Sequence, residues 1–175
     1  KFDANEYHKA VSAIIDWFEG QRQYGIDLAR IALAGFSLGG YLAPMSAAYD
    51  KRVACTMGNC GPAFIGGLDG LKKMNPIWKR GVTYLTGCET LEEAADRFDW
   101  DIADAPSLQI PFLCYQAGRD EVISNPKLHG DKMMKWAGGE KTLKYYEDGE
   151  HCTQNYLDEV FPEIIDWFKK EFRMS

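Results

Sequence analysis

The sequence predicts an α/β fold, a parallel sheet flanked by helices, and three observations carry that expectation. Short apolar runs alternate with segments of helical periodicity along most of the chain, an order that implies parallel pairing through right-handed crossovers. One run, Arg30-Ile31-Ala32-Leu33-Ala34, passes through Gly35-Phe36-Ser37-Leu38-Gly39-Gly40 directly into a helical stretch, Tyr41 to Tyr49. The rhythm is broken once, by about fifty residues from Gly58 to Gln109, which reads as an insertion on a regular framework.

In chain order, the first element is a helix from Asp3 to Phe18, with Tyr7, Ala10, Val11, Ile14, Ile15 and Phe18 at helical spacing. Asp3 followed by Glu6 reads as a capping box. Gly20 and Gly25 end this helix, and Asp27-Leu28-Ala29 turns the chain into the strand before Ser37. The second strand is Arg52 to Met57 and the third Ile110 to Ala117. A helix follows, opened by Asn125-Pro126 and closed by Gly138-Gly139. The fourth strand is Thr142 to Glu147, and a final helix carries Leu157, Val160, Phe161, Ile164, Ile165, Phe168 and Phe172 on one face, with Pro162 marking a kink or restart. Within the insertion, Pro76-Ile77-Trp78 and a helix from Thr90 to Phe98 precede Trp100. A stretch this long and aromatic suits a lid over a pocket; a packed surface insertion is the plainer reading.

One hundred and seventy-five residues suit one domain with a sizeable core. A net charge of -6 argues against a nucleic-acid partner, and no apolar run approaches the roughly 18 residues that would cross a bilayer. No signal peptide is visible, although the chain starts at Lys1 rather than at a methionine. Cys55 and Cys114 sit in apolar strand runs as small core residues, and five cysteines without a C-x-x-C pair point to a reduced, cytoplasmic setting without structural disulfides.

Strand, G-x-S-x-G, helix is the context of a nucleophile elbow. A serine at the tip of so sharp a turn has a strained backbone. Gly35 and Gly39, two residues before and after it, are expected to be glycine because a Cβ there would meet the neighbouring strand and helix. The hydroxyl gains a place beside a helix N-terminus, whose free N–H groups favour a developing oxyanion. Such a serine needs a base, and the base an orienting carboxylate, in the chain order serine, acid, histidine. His8 precedes Ser37 and reads as a surface residue of the first helix, while His129, mid-helix, points to solvent or a neighbouring helix. His151, in Asp148-Gly149-Glu150-His151-Cys152, follows the fourth strand, at the edge where catalytic groups collect in parallel sheets. Asp120, in Gly118-Arg119-Asp120-Glu121, follows the third strand in the same way, with Glu121 as the neighbour able to replace it. Asp148 reads as turn chemistry, and Asp101 and Asp104 precede the third strand at its wrong end.

With GFSLGG, AGRDEV and GEH in this order, the chain resembles the α/β-hydrolase family, and specifically the later half of its fold. The run GFSLGGYLAP, the 83-residue spacing from Ser37 to Asp120 and the 31-residue spacing to His151 are similar to one branch. That branch holds the 2,6-dihydroxypseudooxynicotine hydrolases, FrsA-like esterases and fungal polyketide-shortening hydrolases. The resemblance implies a serine hydrolase acting on an ester, or on a carbon–carbon bond beside a ketone, in a small substrate. Ser37, Asp120 and His151 would be catalytic, and the Leu38 N–H one oxyanion donor. Neither a cofactor nor a metal is implied, and the expected partner is a small molecule, with a homodimer open. Phe64, Trp78, Tyr84 and Trp100 of the insertion are expected to line an aromatic-accepting pocket over the serine. A prolyl-oligopeptidase-type peptidase and a non-catalytic interaction module that kept the fold are the alternatives. The family's first four strands and its oxyanion loop have no counterpart in these residues. Ile31, Ala32 and Leu33 would then lie on an unpaired apolar edge, so the chain is expected to be part of a longer protein.

Overall fold

A computed structural model describes residues 2–173. Its four strands are β1 (Ile31–Phe36), β2 (Val53–Asn59), β3 (Phe112–Ala117) and β4 (Lys141–Tyr146), hydrogen-bonded in the order β1-β2-β3-β4. All three pairings are parallel, and their register aligns Phe36 with Asn59, Asn59 with Tyr115 and Ala117 with Tyr146. The C-terminal ends of the strands therefore open onto one edge, where the loops carrying Ser37, Asp120 and His151 begin. Among the described residues β1 has no partner on its outer side, and no helix is long and apolar enough to cross a membrane.

The helices are α1 (Tyr7–Glu19), α2 (Leu38–Tyr49), α3 (Gly67–Lys73), α4 (Pro76–Thr86), α5 (Leu91–Ala95), α6 (Pro126–Trp136) and α7 (Leu157–Glu171). α1 starts later than its periodicity suggests. The Asp3 carboxylate accepts the N–H of Asn5 in a local turn, and Glu6 caps nothing with its side chain, so no capping box forms. α6 begins as expected, with Asn125 accepting from the Leu128 N–H and Pro126 in the first turn. α7 runs through Pro162 without a break.

α2 is buried from Gly40 to Ala47, which accounts for its lack of charged residues. It lies between the sheet, α1 and the insertion, where Tyr41 stacks on Trp100 with ring centroids 4.6 Å apart. Alternate residues of β3 face different layers. Phe112 and Cys114 enter the main core with α2 and α6, whereas Leu113 and Tyr115 pack with Met57 against Val160 and Ile164 of α7.

The insertion is a helical layer rather than a loose loop. α3, α4 and α5 bury Leu71, Val82 and Ala94 in the main core, and the predicted Thr90–Phe98 helix is the shorter α5, capped by Thr90 accepting from the Glu93 N–H. Its two ends meet. Phe64 pairs with Asp101 in an antiparallel bridge, and Trp100 donates its indole N–H to the Pro62 carbonyl at 3.0 Å.

A buried carboxylate fastens α1 to the turn between α2 and β2. Asp50 accepts from Ser12 at 2.8 Å and from the Arg52 guanidinium at 2.8 and 2.6 Å, and Arg52 continues to Asp16 and Glu19. The hydrogen bonds from Arg52 hold the Asp50 carboxyl well below the usual carboxylate range, against the cost of burial. Hydrogen bonds to a charged group are worth about 1.5–3 kcal/mol, so Asp50→Ala should lower the unfolding free energy in urea by roughly that amount. A depressed folded-state pKa gives stability that is present above the unfolded value near 3.9 and lost as pH falls below it. The acid limb of a stability–pH curve should accordingly be shallower in the variant.

Candidate active site

Ser37 ends β1 and opens α2 with φ 57° and ψ -123°, a backbone that costs about 1–3 kcal/mol and persists only where the surroundings impose it. Two hydrogen bonds impose it: the Ser37 N–H donates to the Asn59 carbonyl at 2.9 Å, and its own carbonyl accepts from Gly40 at 2.8 Å. A Cβ on Gly35 would stand 1.8 Å from the Gly39 carbonyl oxygen, as the tight turn requires. The second steric requirement falls elsewhere than expected. Around Gly39 the space is open, whereas a Cβ on Gly40 would lie 2.7 Å from both the Asn59 oxygen and the Gly61 nitrogen. It is therefore Gly40 that lets the helix approach the end of β2.

His151 comes within 2.8 Å of the Ser37 Oγ through Nε2 and within 2.7 Å of Asp120 Oδ2 through Nδ1. With the carboxylate as acceptor, Nδ1 carries the proton and Nε2 is free to accept from the serine hydroxyl. The Asp120 side chain is 0% exposed and that of His151 15%. Asp120 is aimed by its own turn, its Oδ1 accepting from the N–H groups of Val122 and Ile123 at 2.8 and 2.9 Å. Glu121 is exposed at the mouth of the site and does not reach the imidazole, and Asp148 accepts from the Tyr156 hydroxyl as a turn residue.

The acid and histidine turns are laced together, the Arg119 N–H donating to the Gly149 carbonyl at 2.9 Å. The histidine turn holds two further left-handed residues, Cys152 (φ 58°) and Thr153 (φ 52°). Asn59, at the end of β2, donates to the Cys152 carbonyl and to Thr153 Oγ1. No motif marks Asn59, because its partner lies 94 residues away.

Burial works against the imidazolium of His151, but the hydrogen bond and charge of Asp120 outweigh it and raise the pKa to about 9. Burial likewise opposes the Asp120 carboxylate, and the hydrogen bonds from His151 and the Ile123 N–H hold its pKa below the ordinary value. The Leu38 N–H, directly after Ser37, sits in the first turn of α2, where amides have no intrahelical partner. Cys60, Asp120 and His151 place ligand atoms within 4.8 Å of one another. Both ring nitrogens of His151 are already engaged, and burial pushes the Cys60 thiol far above its usual range. That donor set does not suit a metal.

Beside Ser37 lies a cavity of about 770 Å³. Phe64, Trp78 and Trp100 line it together with Phe98, Leu38 and His129. Tyr84 does not. It is 86% exposed on α4, whose buried face is set by Val82 and Thr86, and six residues along the helix turn it well away from Trp78. His129 also departs from expectation: it is 5% exposed and faces the cavity and the insertion, not solvent. Its α6 neighbours Pro126, Gly130, Met133 and Trp136 are buried on the same face, and that spacing was the available signal.

No protein-family model and no curated protein sequence matches the chain. Solved structures do. The structure of a 2,6-dihydroxy-pseudo-oxynicotine hydrolase superposes with a TM-score of 0.81 at 27% identity, over 96% of this chain and 47% of the other. The α/β hydrolase GrgF from Penicillium sp. sh18 gives a TM-score of 0.72 at 14% identity, over 97% of this chain and 73% of that one. Acetyl xylan esterase 1 from Thermoanaerobacterium sp. JW/SL YS485 gives 0.57 at 16% identity, over 84% and 47%. The last two likenesses concern the fold alone. This chain spans about half the length of the first structure.

The raised pKa of His151 is directly measurable. In a histidine-resolved NMR titration its imidazole should titrate near pH 9. Asp120→Asn should move that midpoint down toward the ordinary value of about 6.5, because the largest contribution opposing burial is then lost and only that of Cys152 remains. An unshifted midpoint in both proteins would remove the electrostatic coupling from this account.

Proposed function

We propose that this chain, which has the α/β-hydrolase fold, is the catalytic part of a serine hydrolase. It would cleave an ester, or a carbon–carbon bond beside a ketone, in a small substrate bearing an aromatic ring. The observation that carries the reading is the unbroken chain of contacts from Asp120 through His151 to Ser37 at the floor of an aromatic-lined cavity. The likeness at 27% identity to a 2,6-dihydroxy-pseudo-oxynicotine hydrolase favours the same reaction class.

In this mechanism Ser37 Oγ attacks the substrate carbonyl carbon while its proton passes to His151 Nε2. Asp120 keeps the imidazole in the required tautomer and stabilises the imidazolium that forms. Negative charge on the carbonyl oxygen is met by the Leu38 N–H, a contact of a kind worth about 2.7–4 kcal/mol to the transition state. Collapse of the tetrahedral intermediate expels an alkoxide or a carbanion, which takes its proton from His151. Water, deprotonated by the same imidazole, then releases the acyl group from Ser37. Ester and carbon–carbon cleavage thus share every protein group and differ only in the leaving atom.

Ser37→Ala and His151→Ala should each lower kcat by about 10⁴–10⁶ while the fold survives. A fluorophosphonate probe should label Ser37, and the label should disappear in Ser37→Ala. Because the neutral imidazole is the base, kcat/KM should rise with pH toward about 9. Failure of the native protein to react with the probe would instead support a non-catalytic module.

A further inference from the structure

We infer that His129 is a positioning residue of this site: by accepting the Ala63 N–H it fixes the Phe64 wall of the cavity and so sets the preference for substrates with an aromatic ring beside the scissile carbonyl. The inference rests on the hydrolase reading above and extends it to specificity.

The geometry begins at the exit of β2. After Asn59 the chain passes through Cys60 and Gly61 into the insertion, and Ala63 is pinned on both sides. Its N–H donates to His129 Nδ1 at 3.0 Å, and its carbonyl accepts from the Ile102 N–H at 2.8 Å. The next residue is Phe64. Its ring stacks on the His129 imidazole with centroids 4.5 Å apart and planes 29° from parallel, and the Lys132 ammonium lies 5.0 Å from the Phe64 centroid. Lys132 also pairs with Asp101, the residue bridged to Phe64 through the backbone. One face of α6 thus holds the backbone before Phe64, the face of its ring and the strand segment beside it.

α6 is the helix that follows the acid turn, and Ser124, Asn125 and Leu128 at its start line the same cavity. His129 therefore couples the turn that aims Asp120 to the insertion wall that faces the substrate. An N–H pointing at Nδ1 requires a lone pair there, so the ring is the neutral Nε2–H tautomer. Burial also disfavours its charged form. An imidazole so placed takes no part in proton transfer at Ser37, whose partner is His151. Its influence on the reaction runs through Phe64.

The test is a selectivity ratio measured in the full-length protein: kcat/KM for methyl 3-phenylpropanoate divided by that for methyl butyrate, by pH-stat. His129→Phe keeps a ring against Phe64 but leaves the Ala63 N–H buried without an acceptor, and should cut the ratio at least tenfold, mainly through KM for the aromatic ester. His129→Asn places an amide oxygen near the position of Nδ1 and should recover most of it. Phe64→Leu should lower the ratio to a similar degree, and adding His129→Phe to it should lower it little further. The inference is overturned if His129→Asn is as unselective as His129→Phe, or if the folded His129 variants keep the native ratio. The same holds if Phe64→Leu leaves the ratio unchanged. Reaction of Ser37 with the fluorophosphonate probe is scored separately, so loss of the hydrolase reading is distinguishable from loss of this one.

Discussion

The site depends on one backbone contact, the meeting of the start of α2 with the end of β2. Ser37 can hold its left-handed conformation because its N–H and carbonyl are both satisfied, by Asn59 and Gly40. Asn59 can be that close because Gly40 and Gly61 present bare backbone to each other, a Cβ on Gly61 standing 2.2 Å from the Gly40 carbonyl carbon. Asn59 then reaches with its side chain to the histidine turn. One residue at a strand end thus holds the serine through its main chain and the histidine loop through its amide. Parallel register does the rest, since aligned strand ends bring all three loops to one edge.

Strain is concentrated around the same point. Ser37, Cys60, Cys152 and Thr153 all have positive φ without being glycine, and each such residue costs about 1–3 kcal/mol. Buried layers of ordinary packing offset that cost: Tyr41 on Trp100 above the sheet, and Met57, Leu113 and Tyr115 against α7 below it. Electrostatics follows the same division. Burial alone would depress the basicity of His151 and raise the pKa of Asp120, and it is their short contact that reverses both. Remove one partner and the other is left buried and uncompensated, which is why such pairs are sensitive to single substitutions.

The sheet and its order of elements were legible because apolar runs, glycines and prolines are local signals, and each strand lies within two residues of its expected bounds at both ends. The glycine and serine pattern around Ser37 was legible for the same reason. Other features had no local signal. Asp120 and Glu121 are adjacent and chemically alike, and only the two amides of Val122 and Ile123 decide which is turned inward. Asp3 and Glu6 have capping-box spacing, yet a turn with Asn5 takes the Asp3 carboxylate first. Tyr84 and Trp78 are both aromatic members of the insertion, but the phase of a helix is known only once its cap is, and Asn75 sets it for α4.

His129 and Asn59 show what local reading omits. Both are polar, deeply buried and hydrogen-bonded to partners more than sixty residues away, Asn59 through its Nδ2 alone. Burying a polar group is costly unless it is hydrogen-bonded, so each bonded residue of this kind marks a place where distant segments must meet in one geometry. Asn59 ties β2 to the histidine turn; His129 ties α6 to the insertion. Together they draw the four segments of the site into register: the serine turn, the insertion, the acid turn and the histidine turn. Apolar packing could bring these segments near one another, but it does not set the angle of a ring or the position of an amide to a few tenths of an ångström. The directional bonds of these two side chains do, and the chemistry at Ser37 requires that accuracy.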